Sequence, residues 1–128
     1  MRQLFTRRAL SVLFIFTGTM HFVNPGLFKA IIPPGFGDPS LDVALSGWAE
    51  IAGGVGILSP LLERYARFGL IALLIAVWPA NWYMALQAQR FVHLAPAWAL
   101  WARLPLQILL IAMIWRLKDP AQSSKTKF

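Results

Sequence analysis

The sequence has no cysteine and few charged residues. Without cysteine the chain cannot form a disulfide, a thiolate metal site or a cysteine redox relay, so a redox role needs a bound cofactor or a partner protein. Charged residues make up only 13% of the 128 residues, whereas hydrophobic residues make up 58%. This composition excludes a soluble domain and a disordered tail, and it predicts a single membrane domain over residues 1–128.

Three motifs of soluble enzymes are also missing. The sequence contains no GxGxxG followed by an acidic residue, no phosphate-binding GxxxxGKS or GxxxxGKT, and no GxSxG nucleophile elbow. Basic residues outnumber acidic ones by 12 to 5, but they lie at the edges of apolar runs and form no basic stripe. No nucleic-acid partner is therefore expected.

Four apolar segments predict an all-α, four-transmembrane-helix bundle, with helices over about residues 7–24, 41–59, 65–85 and 97–116. Crossing the hydrocarbon core takes about 20 residues, and the first segment reaches that length if Arg7 and Arg8 snorkel. A cleaved signal peptide is an alternative for this segment. We favour a span, because residues 17–22 are a poor cleavage site and more apolar segments follow.

Lysine and arginine residues predict the orientation of the bundle. Four spans place both termini on one side, and nine of the twelve basic residues flank the spans on that side. By the positive-inside rule both termini are cytoplasmic, in a multi-pass protein of the cell (inner or plasma) membrane. The polar tail Lys118–Phe128 is predicted to be a solvated end. The nine residues are Arg2, Arg7, Arg8, Arg64, Arg67, Arg116, Lys118, Lys125 and Lys127.

The predicted outer boundary is rich in apolar and aromatic residues. The first outer connection, residues 25–40, is apolar enough to lie in the headgroup region or to fold back over the bundle. The aromatic side chains near the same boundary predict an aromatic belt, and the alternative is a stacking platform for an aromatic ligand. They are Trp78, Trp82, Tyr83, Trp98 and Trp101.

Polar residues inside the apolar segments are the candidate functional residues. Glu50 lies near the middle of the second segment, where an ionised carboxylate costs about 2.5–3.5 kcal/mol or more. It is therefore expected to point into the bundle. Arg103, on the last segment, lies within about three residues of the same depth, or roughly 5 Å. We predict a buried Glu50–Arg103 pair.

Three further polar residues fall at a similar depth and complete a predicted polar layer. Pro79 removes a backbone donor, so the carbonyl of Ile75 is expected to be free near this layer. The layer either binds a ligand or holds the helices in register, and both interpretations remain open. No metal site is predicted, because no two ligand residues share an i, i+4 spacing on one helix, and no catalytic residue is assigned. The layer comprises His21, Glu50, Asn81, Arg103 and Gln107.

The order of several short motifs resembles the DoxX-like family of small integral membrane proteins, over about Phe16 to Trp115. The resemblance implies a four-helix membrane bundle and an association with thiosulfate:quinone oxidoreductase or with complexes that handle oxidative stress. The chain has no soluble domain for such chemistry, so an accessory subunit is expected instead of a self-contained enzyme. The motifs are Phe16-Thr17-Gly18, His21-Phe22, Asn24-Pro25, Ile32-Pro33-Pro34, Leu45-Ser46-Gly47, Glu50-Ile51, Gly53-Gly54, Pro79-Ala80-Asn81, Tyr83-Met84-Ala85 and Arg103-Leu104-Pro105-Leu106-Gln107.

These features lead to one preferred function and two alternatives. The preferred function is a membrane subunit of a quinone-linked or oxidative-stress redox system. In it Arg103, Asn81 and Gln107 donate hydrogen bonds to a quinone, and Glu50 or His21 exchanges its proton. The expected partners are the lipid bilayer, redox-enzyme subunits and a second copy of the chain. The alternatives are a structural anchor without catalytic activity and a small-solute carrier.

Overall fold

The described residues form an all-helical fold. The computed structural model describes residues 2–118, and within this range no strand is present. The prediction of an all-α protein is confirmed. The predicted solvated tail beyond Lys118, with Lys125 and Lys127, lies outside the described residues. The elements are α1 (Arg2–Val23), α2 (Pro25–Ala30), α3 (Pro39–Gly56), α4 (Glu63–Leu86), a 3-10 helix (Ala88–Phe91) and α5 (Ala97–Trp115).

Local sequence signals explain several helix ends. Asn24 and Pro25 follow the last residue of α1, and Pro25 opens α2 at a position where its missing N–H is not needed. The carboxylate of Asp38 caps α3 by accepting a hydrogen bond from the backbone N–H of Ser40 at 2.9 Å. The start of α1 at Arg2 is earlier than predicted, since arginine and glutamine are good helix formers.

Two helices, α4 and α5, are long and apolar enough to cross a membrane. The first helix has 22 residues, but Arg7, Arg8 and His21 make it less apolar. Helix α3 has only 18 residues, among them Asp42 and Glu50. The four-span prediction is therefore supported for two of its helices by length and composition.

The four long helices pack in the order α1, α3, α4, α5. The first packs on α3, α3 on α4, and α4 on α5, whereas α1 and α5 have no comparable contact along their lengths. Their ends are joined at one end of the bundle, where Arg7 donates a hydrogen bond to the carbonyl of Ile57 at 2.8 Å and another to the carbonyl of Lys118. The start of α1, the α3–α4 connection and the end of α5 meet at this end of the bundle. We call it the arginine end.

Two apolar clusters hold the bundle together. The first lies toward the arginine end and contains Leu10, Phe14, Ile57, Leu70, Leu74, Ile114 and Leu117. The second joins the segment after α2 to α4, the 3-10 helix and α5, and contains Ile31, Met84, Phe91 and Leu100. The two clusters share no buried residue, and a space between the helices touches residues of both.

Candidate functional site

A cavity of about 990 Å³ occupies that space. It touches Phe14 and Leu74 of the first cluster and Ile31 of the second, and all four long helices contribute to its wall. Its volume is at the upper end of the range of about 300–1,000 Å³ that holds drug-sized ligands. All five residues of the predicted polar layer line it: His21, Glu50, Asn81, Arg103 and Gln107. The lining also includes Thr17, Asp42 and Ser46, which the sequence analysis did not choose.

A close crossing of α1 and α3 places His21 beside Glu50. A Cβ atom on Gly18 would lie 2.7 Å from the carbonyl oxygen of Gly47, and a Cβ atom on Gly47 would lie 2.9 Å from Cβ of His21. Only glycine at these two positions allows the backbones to approach so closely. Since His21 follows Gly18 by three residues and Glu50 follows Gly47 by three, each polar side chain lies on the same helix face as the crossing.

The contact between His21 and Glu50 leaves one carboxylate oxygen without a hydrogen bond. Nδ1 of His21 lies 3.2 Å from Oε2 of Glu50 and 2.7 Å from the carbonyl oxygen of Thr17. An imidazole nitrogen carries one hydrogen at most, and the shorter contact to Thr17 takes it. Oε2 of Glu50 is buried and has no hydrogen-bond partner among the described residues. Although Oε2 itself is covered, the Glu50 side chain is 15% exposed and lines the cavity, so the carboxyl group is within reach of a donor there.

The predicted Glu50–Arg103 pair is wrong. Nη1 of Arg103 lies 3.4 Å from the sulfur of Met84, and among residues 2–118 no carboxylate oxygen lies within 4.0 Å of its guanidinium. The prediction matched the two residues by depth alone. In the structure α3 packs on α1 and α4, so Glu50 and Arg103 belong to separate walls of the cavity. Arg103 thus lines the cavity without a carboxylate counter-ion among the residues that the structure describes.

Asn81 and Gln107 are joined by one hydrogen bond, and Gln107 makes a second one to the backbone of α4. Nδ2 of Asn81 donates to Oε1 of Gln107, and Nε2 of Gln107 donates to the carbonyl oxygen of Leu74. Gln107 is buried, with 4% of its surface exposed. Pro79 is predicted to free the carbonyl of Ile75 near these residues, but the carbonyl that accepts from Gln107 is that of Leu74, one residue earlier. These contacts join α4 to α5 and indicate a packing role for both amides.

The segment between α1 and α3 folds back over the cavity, which was one of its two predicted positions. The ring of Phe28, on α2, stacks on His21 with 3.9 Å between the ring centroids. Ile31 is buried, and Ile32, Pro33 and Phe36 also line the cavity. The segment covers His21 and closes the cavity at the end opposite the arginine end.

Sequence reasoning missed a buried charge cluster at the arginine end. Oε1 of Glu63 lies 3.3 Å from Nη1 of Arg7 and 3.4 Å from Nε of Arg67, and the Glu63 side chain is only 2% exposed. Arg67 also donates to the carbonyl of Leu117. The spacing of Glu63 and Arg67, four residues apart on one helix, could have revealed their pair. The approach of Arg7 depends on the tertiary fold, so no local pattern indicates it.

The described residues form an all-helical bundle around a mostly apolar cavity that a few polar side chains also line, and two of the helices are long and apolar enough to cross a membrane. Residues 10–118 match a family described as a domain of unknown function (DUF8561), and the chain belongs to this family. No curated protein and no solved structure matches the chain.

The resemblance to the DoxX-like family is wrong, because the family that matches is a different one and no DoxX model matches. The motifs behind the resemblance have a physical origin that unrelated membrane bundles share. Glycine and small residues allow helices to pack closely, proline and asparagine end helices, and isolated polar residues face the interior. Motifs this short therefore do not identify a family by themselves.

Proposed function

We propose that the chain is a multi-pass membrane protein in which all four long helices cross the bilayer. At 1.5 Å per residue, α1 is about 33 Å long and α3 about 27 Å, which is close to the thickness of the hydrocarbon core. The polar side chains Glu50 and His21 line the cavity, whereas exposed side chains outside it, such as Val12 on α1 and Trp48 and Val55 on α3, are largely apolar. This distribution supports lipid around both helices.

Single cysteines in the cysteine-free chain test this topology. We expect a membrane-impermeant maleimide to label Ala30→Cys and Gln89→Cys from one side and Leu61→Cys from the other. These three residues are exposed and lie in the three connections. If only α4 and α5 crossed the membrane, Ala30→Cys and Leu61→Cys would be labelled from the same side, and the four-span proposal would be withdrawn.

Within this membrane protein, we propose that the cavity binds the headgroup of a quinone. Its support is a pair of polar side chains that line separate walls of the cavity: Arg103, whose one side-chain partner among the described residues is the sulfur of Met84, and Glu50, whose side chain is 15% exposed. The guanidinium is suited to donate to one quinone oxygen, and the Glu50–His21 pair to hold a proton near the other. A helix-packing role alone does not explain why a glutamate and an arginine line one cavity without forming an ion pair with each other.

A quinone, when bound, supplies the electron and proton exchange. The chain has no cysteine with which to pass electrons to it. We therefore propose that the protein acts as an accessory membrane subunit and that the electron donor is a partner protein. The five cavity residues keep distinct roles here: Arg103 and Glu50 contact the headgroup, His21 positions Glu50, and Asn81 and Gln107 fix α4 against α5.

Binding of decylubiquinone to the purified protein tests this proposal. We expect Arg103→Leu and Glu50→Gln each to weaken binding at least about tenfold, which corresponds to 1.4 kcal/mol. The matched control is Arg90→Leu, because Arg90 is exposed and does not line the cavity. Wild-type affinity in both cavity variants would contradict the proposal and favour the structural-anchor alternative.

A further inference from the structure

The gap in packing between α1 and α5 coincides with one side of the cavity. The two helices are joined at the arginine end, where Arg7 donates to the carbonyl of Lys118 and Gln3 donates to the carbonyl of Arg116. Farther along they have no comparable contact. A four-helix bundle normally closes by packing its first helix on its last. Here that closure is limited to the arginine end.

Apolar residues that line the cavity on both sides of this gap are also exposed. On α1, Leu13 is 38% exposed and Phe16 is 62% exposed, and on α5 Leu106 is 52% exposed. A side chain that both lines a cavity and is exposed marks where that cavity reaches the surface. Leu45 on α3, at 59% exposed, also meets this criterion, but α3 packs on α4 whereas α1 and α5 have no comparable contact, so the wider opening lies between α1 and α5. At this depth in a membrane-spanning bundle the surface faces lipid tails, so the opening connects the cavity to the hydrocarbon core.

We infer that the gap between α1 and α5 is a lateral opening that holds the long apolar tail of the ligand while its headgroup lies between Glu50 and Arg103. The ligand class is thereby a long-chain amphiphile taken from the bilayer, not a compact solute taken from water. This inference rests on the proposed function. Its physical basis is that an apolar chain in such a gap replaces lipid on two helix faces at little cost in desolvation.

Two quinone probes separate the tail from the headgroup. The first is decylubiquinone, and the second is the same benzoquinone without a tail. We expect the wild-type protein to bind the tailed probe at least tenfold more tightly. Leu106→Trp, which fills the gap, is expected to weaken binding of the tailed probe at least tenfold and to leave the tail-less probe unchanged. Leu13→Trp, on the opposite side of the gap, should do the same.

Leu109→Trp is the matched control. Leu109 is on the same helix as Leu106 and is equally exposed, at 53%, but does not line the cavity. Thermal unfolding of each variant shows that it is folded, and Leu106→Ala provides a variant that widens the gap and should retain both probes. The lateral opening would be refuted, and the proposed function left standing, by either of two results. One is equal affinity of the wild type for both probes, and the other is an unchanged affinity of Leu106→Trp and Leu13→Trp for the tailed probe. Failure of the wild type to bind either probe would overturn the proposed function and this inference with it.

Discussion

Replacing Gly18 with alanine should separate α1 from α3. The new Cβ would lie 2.7 Å from the carbonyl oxygen of Gly47 and 2.8 Å from Cγ1 of Ile51, against an ordinary contact of 3.4–4 Å. The carbonyl belongs to a helix backbone and cannot rotate away, so the helices must move apart. Overpacking of this kind costs about 1–3 kcal/mol, and a clash with backbone lies toward the upper end.

Gly69→Ala is the matched control for this prediction. Gly69 is also in a helix, but a Cβ there would have no neighbour within 4 Å. Both substitutions gain about 0.5–1 kcal/mol from the greater helix propensity of alanine, so this term cancels between the two variants. We expect Gly18→Ala to be less stable than Gly69→Ala by about 2–3 kcal/mol, the cost of the clash alone. Equilibrium unfolding in mixed micelles, followed by tryptophan fluorescence, measures the difference. Equal stability of the two variants would refute the close crossing.

Two further predictions concern the buried polar contacts. Arg7→Met removes one of two partners of Glu63, and we expect it to lower the free energy of unfolding by about 3 kcal/mol, with Arg67 retaining the other contact. In the same unfolding assay the double variant Arg7→Met/Glu63→Met should lose less than the sum of the two single changes, and simple additivity would count against the pair. Gln107→Leu should lower the free energy of unfolding by about 2 kcal/mol. Asn81→Leu should lower it by less, because Gln107 takes part in two side-chain hydrogen bonds and Asn81 in one. The reverse ranking would contradict the observed hydrogen bonds.

The helices could be predicted from the sequence because apolar composition and helix-ending residues are local signals. Four long apolar segments separated by Asn24-Pro25 and by other proline-containing turns were enough to predict an all-helical protein. The proposed crossing of the membrane by α1 and α3 has less support in the sequence, because Arg8 in one and Asp42 in the other reduce their apolar character. The length of a helix does not reveal whether lipid or protein surrounds it.

The polar residues of the cavity could be chosen from their cost in an apolar segment, but their partners could not. Depth along each helix follows from residue number, whereas the lateral order of helices does not. Glu50 was therefore matched with Arg103 by depth, although the crossing at Gly18 and Gly47 brings His21 to it instead. The same limitation hid the approach of Arg7 to Glu63, which are distant in sequence and have no shared local pattern.

Native mass spectrometry of the protein released from its own membrane, without added ligand, tests the central claim most directly. We predict one bound molecule per chain with the mass of a long-chain quinone, and we predict its loss in Arg103→Leu but not in Arg90→Leu. Wild-type protein that carries no small molecule, or the same adduct on the wild type and on Arg103→Leu, would contradict the claim that the cavity between Glu50 and Arg103 is a quinone site.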